Sequence, residues 1–403
     1  MSPSSEVRIG ERIRFYRQAK GKTQAVVAGL AGVTEDYLSQ IERGLKTPTI
    51  ALLHRFAKIL GVRISDLLGE SAAVQDDAST PAGKAVQHAL MAYGRDDGSG
   101  PVDIAALRGR VDSAWTVWQE RPLRFSEESA ILPALIADVQ AAQRALASSG
   151  HEQRRQGQQI AADLYFLLRT FTKRIGRPDL SLLVADRAVL TAQASEDAVR
   201  VAAAKWNLGH ILLAQGDADG AEDVAIHAVE DLERQDLDGD LDAVAMTGAL
   251  WLVSAVAAVR NGDPWTARDR IREKAWPAAR RTGEGNVMWT VFGPVNVALH
   301  AMSLEMEMGE AAEALRLADD IDASLLPSRE RRTTFALEVA RCYEQRRDDP
   351  GVLLHLMSAE ASGPEDMRYN NLARELVQGL LKRARPTYAP QVRALAERIG
   401  LLA

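Results

Sequence analysis

The sequence predicts an all-α chain: a five-helix head followed by a long array of helical hairpins. Three observations predict it. Ala, Leu, Glu and Arg dominate, Pro and Gly are sparse and β-branched runs are few, a composition that favours helix over strand. Residues 9–68 break into short apolar-periodic segments, each opened by a capping residue or closed by glycine. Beyond residue 102, long helical stretches are separated by short turns that recur at a similar interval.

A chain of 403 residues suggests two or three domains. Its 46% hydrophobic content is ample for a packed core, and 26% charged residues is ordinary for a soluble protein. The single cysteine, Cys342, excludes an intramolecular disulfide and any multi-cysteine metal site. It fits a reducing cytoplasm and reads as a small core residue. The opening MSPSSEVRIG carries no apolar signal segment, so secretion is not expected. The uncharged, strongly apolar stretch 243–259 falls short of the roughly 18 to 20 apolar residues of a membrane span and reads as a buried solenoid helix.

Charge is informative once divided. Residues 1–69 hold 11 Lys/Arg against 6 Asp/Glu, whereas the rest hold 38 against 49. A basic head on an acidic body suits a reader of nucleic acid whose body stays off the polyanion.

The head is read helix by helix. The first helix runs 9–19, with Ile9, Ile13 and Tyr16 at core spacing and Arg12, Arg14 and Arg17 mostly outside; Gly21 breaks it. Thr23 caps a second helix through Leu30, ended by Gly32, and small Ala28 lets the next helix cross closely. Thr34 caps a third helix, 35–43, which stops at Gly44. Thr47-Pro48-Thr49 punctuates before a fourth helix, 50–60; Gly61 ends it, and Ser65 caps a short fifth.

From Ile9 to Leu68 this string resembles the phage-repressor (Xre) helix-turn-helix family. Thr23-Gln24, Ala28, Gly32-Val33, Leu38, Ile41-Glu42, Gly44, Pro48 and Leu60-Gly61-Val62 stand in the family's places. The resemblance implies that the third helix enters the major groove of double-stranded DNA. It puts Glu35, Asp36 and Gln40 toward bases, with Tyr37 and Ser39 nearby. Gln40 has the chemistry to bond adenine bidentately, and a carboxylate can accept from the cytosine amino group. Glu35 and Asp36 depart from the family's usual neutral or basic residues, and acids in a first turn equally favour the helix's positive end. Thr23, Gln24, Arg43, Lys46 and Thr47 flank that helix and are the expected phosphate contacts.

Residues 70–83 are small and polar and read as a linker; 84–93 reads as a helix and 94–101 as a second flexible loop. Residues 84–150 form a helical connecting region, a candidate for dimerisation, and 151–403 the regulatory array. Turns recur at Gly176, Gly216, Gly262, Gly309 and Arg347, at intervals of 40, 46, 47 and 38 residues. Around them a tetratricopeptide pattern can be laid down: Leu208-Gly209, Ala221 and Ala228; Trp251, Ala255 and Ala267; Ala340, Tyr343, Leu356, Ala359 and Pro364. Small residues at those places let paired helices pack closely. The body therefore resembles a degenerate tetratricopeptide solenoid whose repeat is longer than that family's own.

Head and body together resemble the cytoplasmic peptide-sensing regulators. That resemblance implies a peptide or small-molecule effector on the concave face, lined from the pattern's inward positions by Asp163, Phe166, Thr170, Lys173, Trp206, His210, Asn296, Ser303 and Arg341. Trp206 equally suits a hairpin core and Arg341 a solvated surface. No enzyme motif is present: the seven histidines show no metal-ligand spacing, the GRPD and GDAD turns have no Walker spacing, and nothing resembles a nucleophile elbow. No cofactor or metal is expected. The expected function is a sequence-specific transcriptional regulator, homodimeric on a palindromic operator. The segment 102–117, with Trp115 and Trp118, and the final helices are candidate dimer surfaces or internal packing. The alternative is a protein-docking scaffold that the head tethers to DNA.

Overall fold

The computed structural model describes residues 9–10, 12–14, 16–17, 20, 22–60, 67, 81–92, 102–235, 237 and 239–402. Its contacts divide into two units, Met1–Thr80 and Pro81–Ala403. The described residues form helices and connecting turns, with no strand among them. The expected turn at Gly21, the caps at Gly61 and Ser65, most of the 70–83 linker and the 94–101 loop lie outside the described residues.

In the first unit, α1 is helical at residues 9–10, 12–14 and 16–17. It is followed by α2 (Gln24–Ala31), α3 (Glu35–Glu42) and α4 (Ile50–Leu60). The punctuation works as the sequence suggests. Thr23 Oγ1 accepts from Val26 N–H at 3.3 Å, and Thr34 Oγ1 from Tyr37 N–H at 3.2 Å. Thr49 Oγ1 accepts from Leu52 N–H at 3.3 Å. Each satisfies an N–H that the helix itself leaves unpaired. Gly32 sits in the left-handed region at φ 68° and passes the Val33 N–H back to the Ala28 carbonyl at 3.0 Å, a reversed C-cap that suits glycine. The core is Ile13, Val27, Ala28, Ala31, Leu38, Ile41, Leu52, Leu53, Phe56, Ala57, Leu60 and Leu67. Gly10 lets α1 cross α3 at backbone distance: a Cβ there would lie 1.9 Å from the Ile41 carbonyl oxygen.

Arg17 does not lie outside, where its place in the sequence puts it. It is 8% exposed and ion-paired to the buried Glu42, because a carboxylate at 3% exposure needs a cation beside it.

The second unit is an array of antiparallel helix pairs. It opens with α5 (Pro81–Leu90), α6 (Ile104–Glu120) and α7 (Arg124–Leu146). Helix α5 starts earlier than the expected 84–93 because Pro81 is tolerated in a first turn, where no N–H is needed. Next come α8 (His151–Arg174) with α9 (Pro178–Ala194), and α10 (Ala198–Gln215) with α11 (Ala218–Glu233). Helix α12 (Leu241–Arg260) pairs with α13 (Pro264–Asp269), a π-helical turn Arg270–Ala275 and α14 (Trp276–Thr282). The series continues with α15 (Pro294–Glu307) and α16 (Ala311–Ala318), then α17 (Arg329–Gln345) and α18 (Asp349–Ser362). Helices α19 (Pro364–Tyr369), α20 (Asn371–Arg383) and α21 (Ala389–Arg398) close it.

All five recurrent turns share one geometry. Gly176, Gly216, Gly262, Gly309 and Arg347 have φ of 76°, 83°, 82°, 87° and 59°. At each, the next residue's N–H returns to a carbonyl on the last turn of the preceding helix, as in Asp217 to Leu212 at 3.0 Å and Asp348 to Tyr343 at 3.0 Å. Asp217, Asp263 and Asp348 then cap the following helix. One residue ends a helix and its neighbour starts the next, which gives the tight hairpin. The repeat is longer than the tetratricopeptide one because its helices are long and because an irregular segment, 283–293, separates α14 from α15.

The apolar stretch 243–259 lies within α12. By length and composition α12 could cross a membrane, but 72% of its apolar 18-residue window is buried inside the array, where Met246, Leu250, Leu252 and Val253 join the main core. Trp115 and Trp118 are 5% and 1% exposed and face inward from α6, and Val392 and Leu395 of the last helix are buried in the unit's own C-terminal core. Cys342 is buried, with its thiol 3.3 Å from the Met306 sulfur.

Candidate DNA-reading helix and a cationic cavity

The exposed face of α3 gathers the residues expected at bases. Glu35 and Asp36 are exposed, and Tyr37, Ser39 and Gln40 are half-buried. Gln40 Nε2 donates to Asp36 Oδ2 at 2.7 Å. The pair spans one turn, so Asp36 holds the Gln40 amide with its oxygen and one remaining N–H free for a partner. Arg43 Nε donates to the Ser39 carbonyl at 3.3 Å, and Lys46 Nζ lies 4.9 Å from the Tyr37 ring centroid. Both cations are thereby held at the C-terminal end of α3, and Thr23 and Thr47 are exposed beside it.

Gln24 is anchored from behind. Its Nε2 donates to Glu42 Oε2 at 2.7 Å, while Arg17 Nε and Nη2 donate to the two Glu42 oxygens at 2.6 and 2.8 Å. The hydrogen bond to Glu42 raises the Arg17 guanidinium above its ordinary pKa, against the cost of burial. A shallow groove lined by Arg14, Arg17, Thr23, Gln24, Glu35, Ser39 and Arg43 runs along this face.

In the second unit the inward-position candidates separate. Thr170 and Lys173 of α8 and Trp206 and His210 of α10 line one cavity of about 130 Å³. Phe166 is fully buried one turn before Thr170 and packs in the core. Asp163 is fully buried and bonded to Arg200 at 2.8 Å and to Arg108. Asn296 is 2% exposed on α15, Ser303 lies on the same helix half-buried, and Arg341 pairs with Glu338 at 3.7 Å; these three are not among the residues lining the cavity.

Residues that the pattern missed complete the wall. Trp115, Trp118 and Gln119 come from α6, Arg169 and Arg174 from α8, Asn207 from α10, Met288, Trp289 and Val291 from the 283–293 segment, and Glu330 and Arg331 from α17. Arg169 was within reach of sequence reading, since it lies one helical turn before Lys173 on the same helix. The 283–293 segment was not, because its path follows no repeat.

The cavity's charges are unequal. Arg174 Nε donates to Glu330 Oε1 at 3.1 Å, and Arg124, behind it, pairs with Asp366 and lies 3.6 Å from Glu330. These cations hold Glu330 well below the usual carboxylate range, although burial acts the other way. Burial, reinforced by Arg169 and Arg174, brings the Lys173 ammonium down to about 7. Burial and the neighbouring Arg169 and Lys173 keep His210 well below its ordinary value. Among the described residues there is no group of three or more His, Cys, Asp or Glu side chains able to hold a metal ion.

Short, capped helices around a small apolar core, with a polar third helix presented to solvent, define a helix-turn-helix DNA-reading domain. Comparison with known proteins agrees: the family described as "Helix-turn-helix domain" matches residues 8–67. The uncharacterized HTH-type transcriptional regulator y4dJ of Sinorhizobium fredii is 37% identical over 60 residues, 15% of this chain and 78% of that protein. The chain belongs to the HTH-type transcriptional regulators. The HTH-type transcriptional regulator SinR of Bacillus licheniformis is 44% identical over 63 residues, and the match spans 15% of this chain and 57% of SinR's length. A solved structure, the apo form of the competence regulator ComR from Streptococcus vestibularis, aligns over 98% of this chain and 99% of that one, at 11% identity and a TM-score of 0.33.

Proposed function

We propose that this protein is a cytoplasmic, sequence-specific transcriptional regulator that binds a palindromic operator as a homodimer, and that its helical array senses a peptide or small-molecule effector. The observation that carries the DNA reading is the face of α3. Asp36 and Gln40 are tied together at 2.7 Å, while Gln24 at one flank and Arg43 and Lys46 at the other are each braced by a neighbour. Such bracing lowers the ordering cost of docking in a groove. Gln40 reads bases with its remaining amide groups; Arg43, Lys46, Thr23, Gln24 and Thr47 position the domain on phosphates. A single small reader domain gains affinity by pairing, so a two-fold dimer on matched half-sites is the economical arrangement.

The effector reading rests on the cavity shared by α6, α8, α10, α17 and the 283–293 segment. It lies where several helices meet, and a bound molecule touching all of them shifts the array between arrangements that hold it differently. Selection of bound sequences from a random DNA pool tests the DNA reading. An enriched motif of two inverted half-sites about one helical turn apart is expected; a pool with no enriched motif overturns sequence-specific reading.

A further inference from the structure

We propose that the cavity between α6, α8, α10 and α17 is a binding site for a small organic anion, bearing a carboxylate or phosphate, which Arg169, Lys173 and Arg331 grip. This rests on the effector reading above and names the chemical class that the cavity takes.

Charge pairing around the cavity is incomplete. Five arginine and lysine side chains converge here, counting Arg124 behind the wall. Arg174 is matched by Glu330, and Arg124 by Asp366. Arg169 is 6% exposed, yet its Nε donates to a neutral partner, the Asn207 side-chain oxygen, at 2.6 Å. The side chains of Lys173 and Arg331 make no hydrogen bond or ion pair among the described residues, and both line the cavity. Three cations thus share a partly enclosed space without a carboxylate of their own. Cations withdrawn from water are normally paired, so an arrangement that leaves three unmatched suits an anion from outside.

The second observation is backbone strain in the cavity wall. Met288, Trp289 and Val291 have φ of 46°, 58° and 56°, values unfavourable for any L-residue and worst for a β-branched one. Their segment is pinned both by α6 and by its own Asn286. Asn286 Nδ2 donates to Gln119 Oε1 at 2.7 Å, the Val291 N–H donates to Asn286 Oδ1 at 3.2 Å, and Trp289 stacks on Trp115 at 4.5 Å and 5°. Strain held this way is characteristic of ligand clamps.

Size sets the scale of the ligand. A volume of about 130 Å³ is close to the roughly 150 Å³ of a cavity that admits benzene. That fits a small acid or an anionic end group, whether free or at the C-terminus of a peptide.

The same wall fixes a pH dependence. Lys173 is faced by Arg169 and Arg174 on its own helix, His210 on α10, Arg260 on α12, and Glu330 and Arg331 on α17, with His300 of α15 beyond His210. The arginines stay charged, Glu330 stays ionised, and both histidines stay neutral near pH 7. Lys173, brought down to about 7, is the group that changes charge there. Affinity for a carboxylate therefore falls as pH rises from about 6 to about 8.

The test uses the full chain, with tryptophan fluorescence and melting temperature as readouts, since Trp115, Trp118, Trp206 and Trp289 line the cavity. The probes are inorganic phosphate, phenyl phosphate and phenylacetate, with neutral phenol and phenylacetamide beside them. An apolar tripeptide with a free C-terminal carboxylate, and the same tripeptide amidated, form the second arm. Saturable binding of the anions or of the free-carboxylate peptide, without binding of the neutral counterparts, is expected; which arm binds tighter identifies the source. Lys173→Met and Arg331→Gln should each weaken binding by about tenfold, whereas Arg346→Gln, removing an exposed charge away from the cavity, leaves it unchanged. Equal behaviour of anionic and neutral probes overturns the proposal using the unaltered protein alone. So does an equal effect of all three variants. The readout needs no DNA: failure to bind anions leaves the DNA reading standing, and anion binding without any change in operator affinity removes the sensing role but keeps the site.

Discussion

Glu42 accepts two guanidinium hydrogen bonds from Arg17, at 2.6 and 2.8 Å, and its second oxygen also accepts from Gln24 at 2.7 Å. One buried carboxylate thereby ties α1 to α3 and fixes the side chain at the start of α2. Replacing Arg17 with Met leaves that carboxylate buried without its cation, a loss of about 3–5 kcal/mol. The double variant Arg17→Met/Glu42→Leu should recover much of it, because an apolar pair carries no unmatched charge. Unfolding of the full chain by urea, followed by a probe in the head, checks both; a double variant no more stable than the single one would show that the pair is held for more than charge matching.

The proposed DNA reading gives Gln40 and Lys46 different parts of the interface. Gln40→Ala should relax preference at one operator position by about 1–3 kcal/mol. Lys46→Ala should weaken all sequences alike and lower the salt slope by about 1. Fluorescence anisotropy on matched and mismatched duplexes at several salt concentrations separates the two. Identical effects of both substitutions would dissolve the assignment of roles.

Arg347 occupies a place that glycine fills at the four other recurrent turns, with φ 59°. A non-glycine residue there carries a left-handed penalty of roughly 1–2 kcal/mol, partly offset by the freedom glycine has in the unfolded chain. Arg347→Gly should therefore stabilise the C-terminal hairpin by about 0.5–1 kcal/mol. A melting temperature that does not rise would mean that the Arg347 side chain contributes as much as its backbone costs.

Glu128 is fully buried, and neither carboxylate oxygen has a hydrogen-bond partner among the described residues. Burial, with a contribution from Glu127, pushes its pKa up to about 8. The folded protein thus holds a proton that the unfolded chain releases near 4.5. Stability from this group is complete below about pH 4.5, declines as pH rises, and levels off above about 8. Glu128→Gln should remove that decline and gain most over the parent above pH 8, by a few kcal/mol in order of magnitude. Parallel stability curves for the two proteins between pH 5 and 9 would contradict it.

Much of the head was legible because helix ends are written in local chemistry. Thr23, Thr34 and Gly32 act through atoms a few residues away, so their positions alone set the boundaries. The recurrent turns were legible for the same reason. Burial of charge was not: Arg17 reads as a surface residue until Glu42 is known to sit beneath it. The cavity was half legible. Thr170, Lys173, Trp206 and His210 follow a helical period and come together, whereas Phe166 shares that period but points into the core. Trp289 and Arg331 reach the cavity from a strained irregular segment and a helix start, places where no periodicity carries information. Asp163 shows the converse, since its inward position is taken up by Arg108 and Arg200.

Sequence-specific reading is measured most directly by a footprint of the purified full chain on the DNA upstream of its own gene at physiological salt. Two protected half-sites about one helical turn apart are expected, weakened when Gln40 is replaced and altered when a cavity ligand is added. Protection that is uniform along the DNA and vanishes with added salt would contradict it, since that is the behaviour of a basic surface with no reading helix.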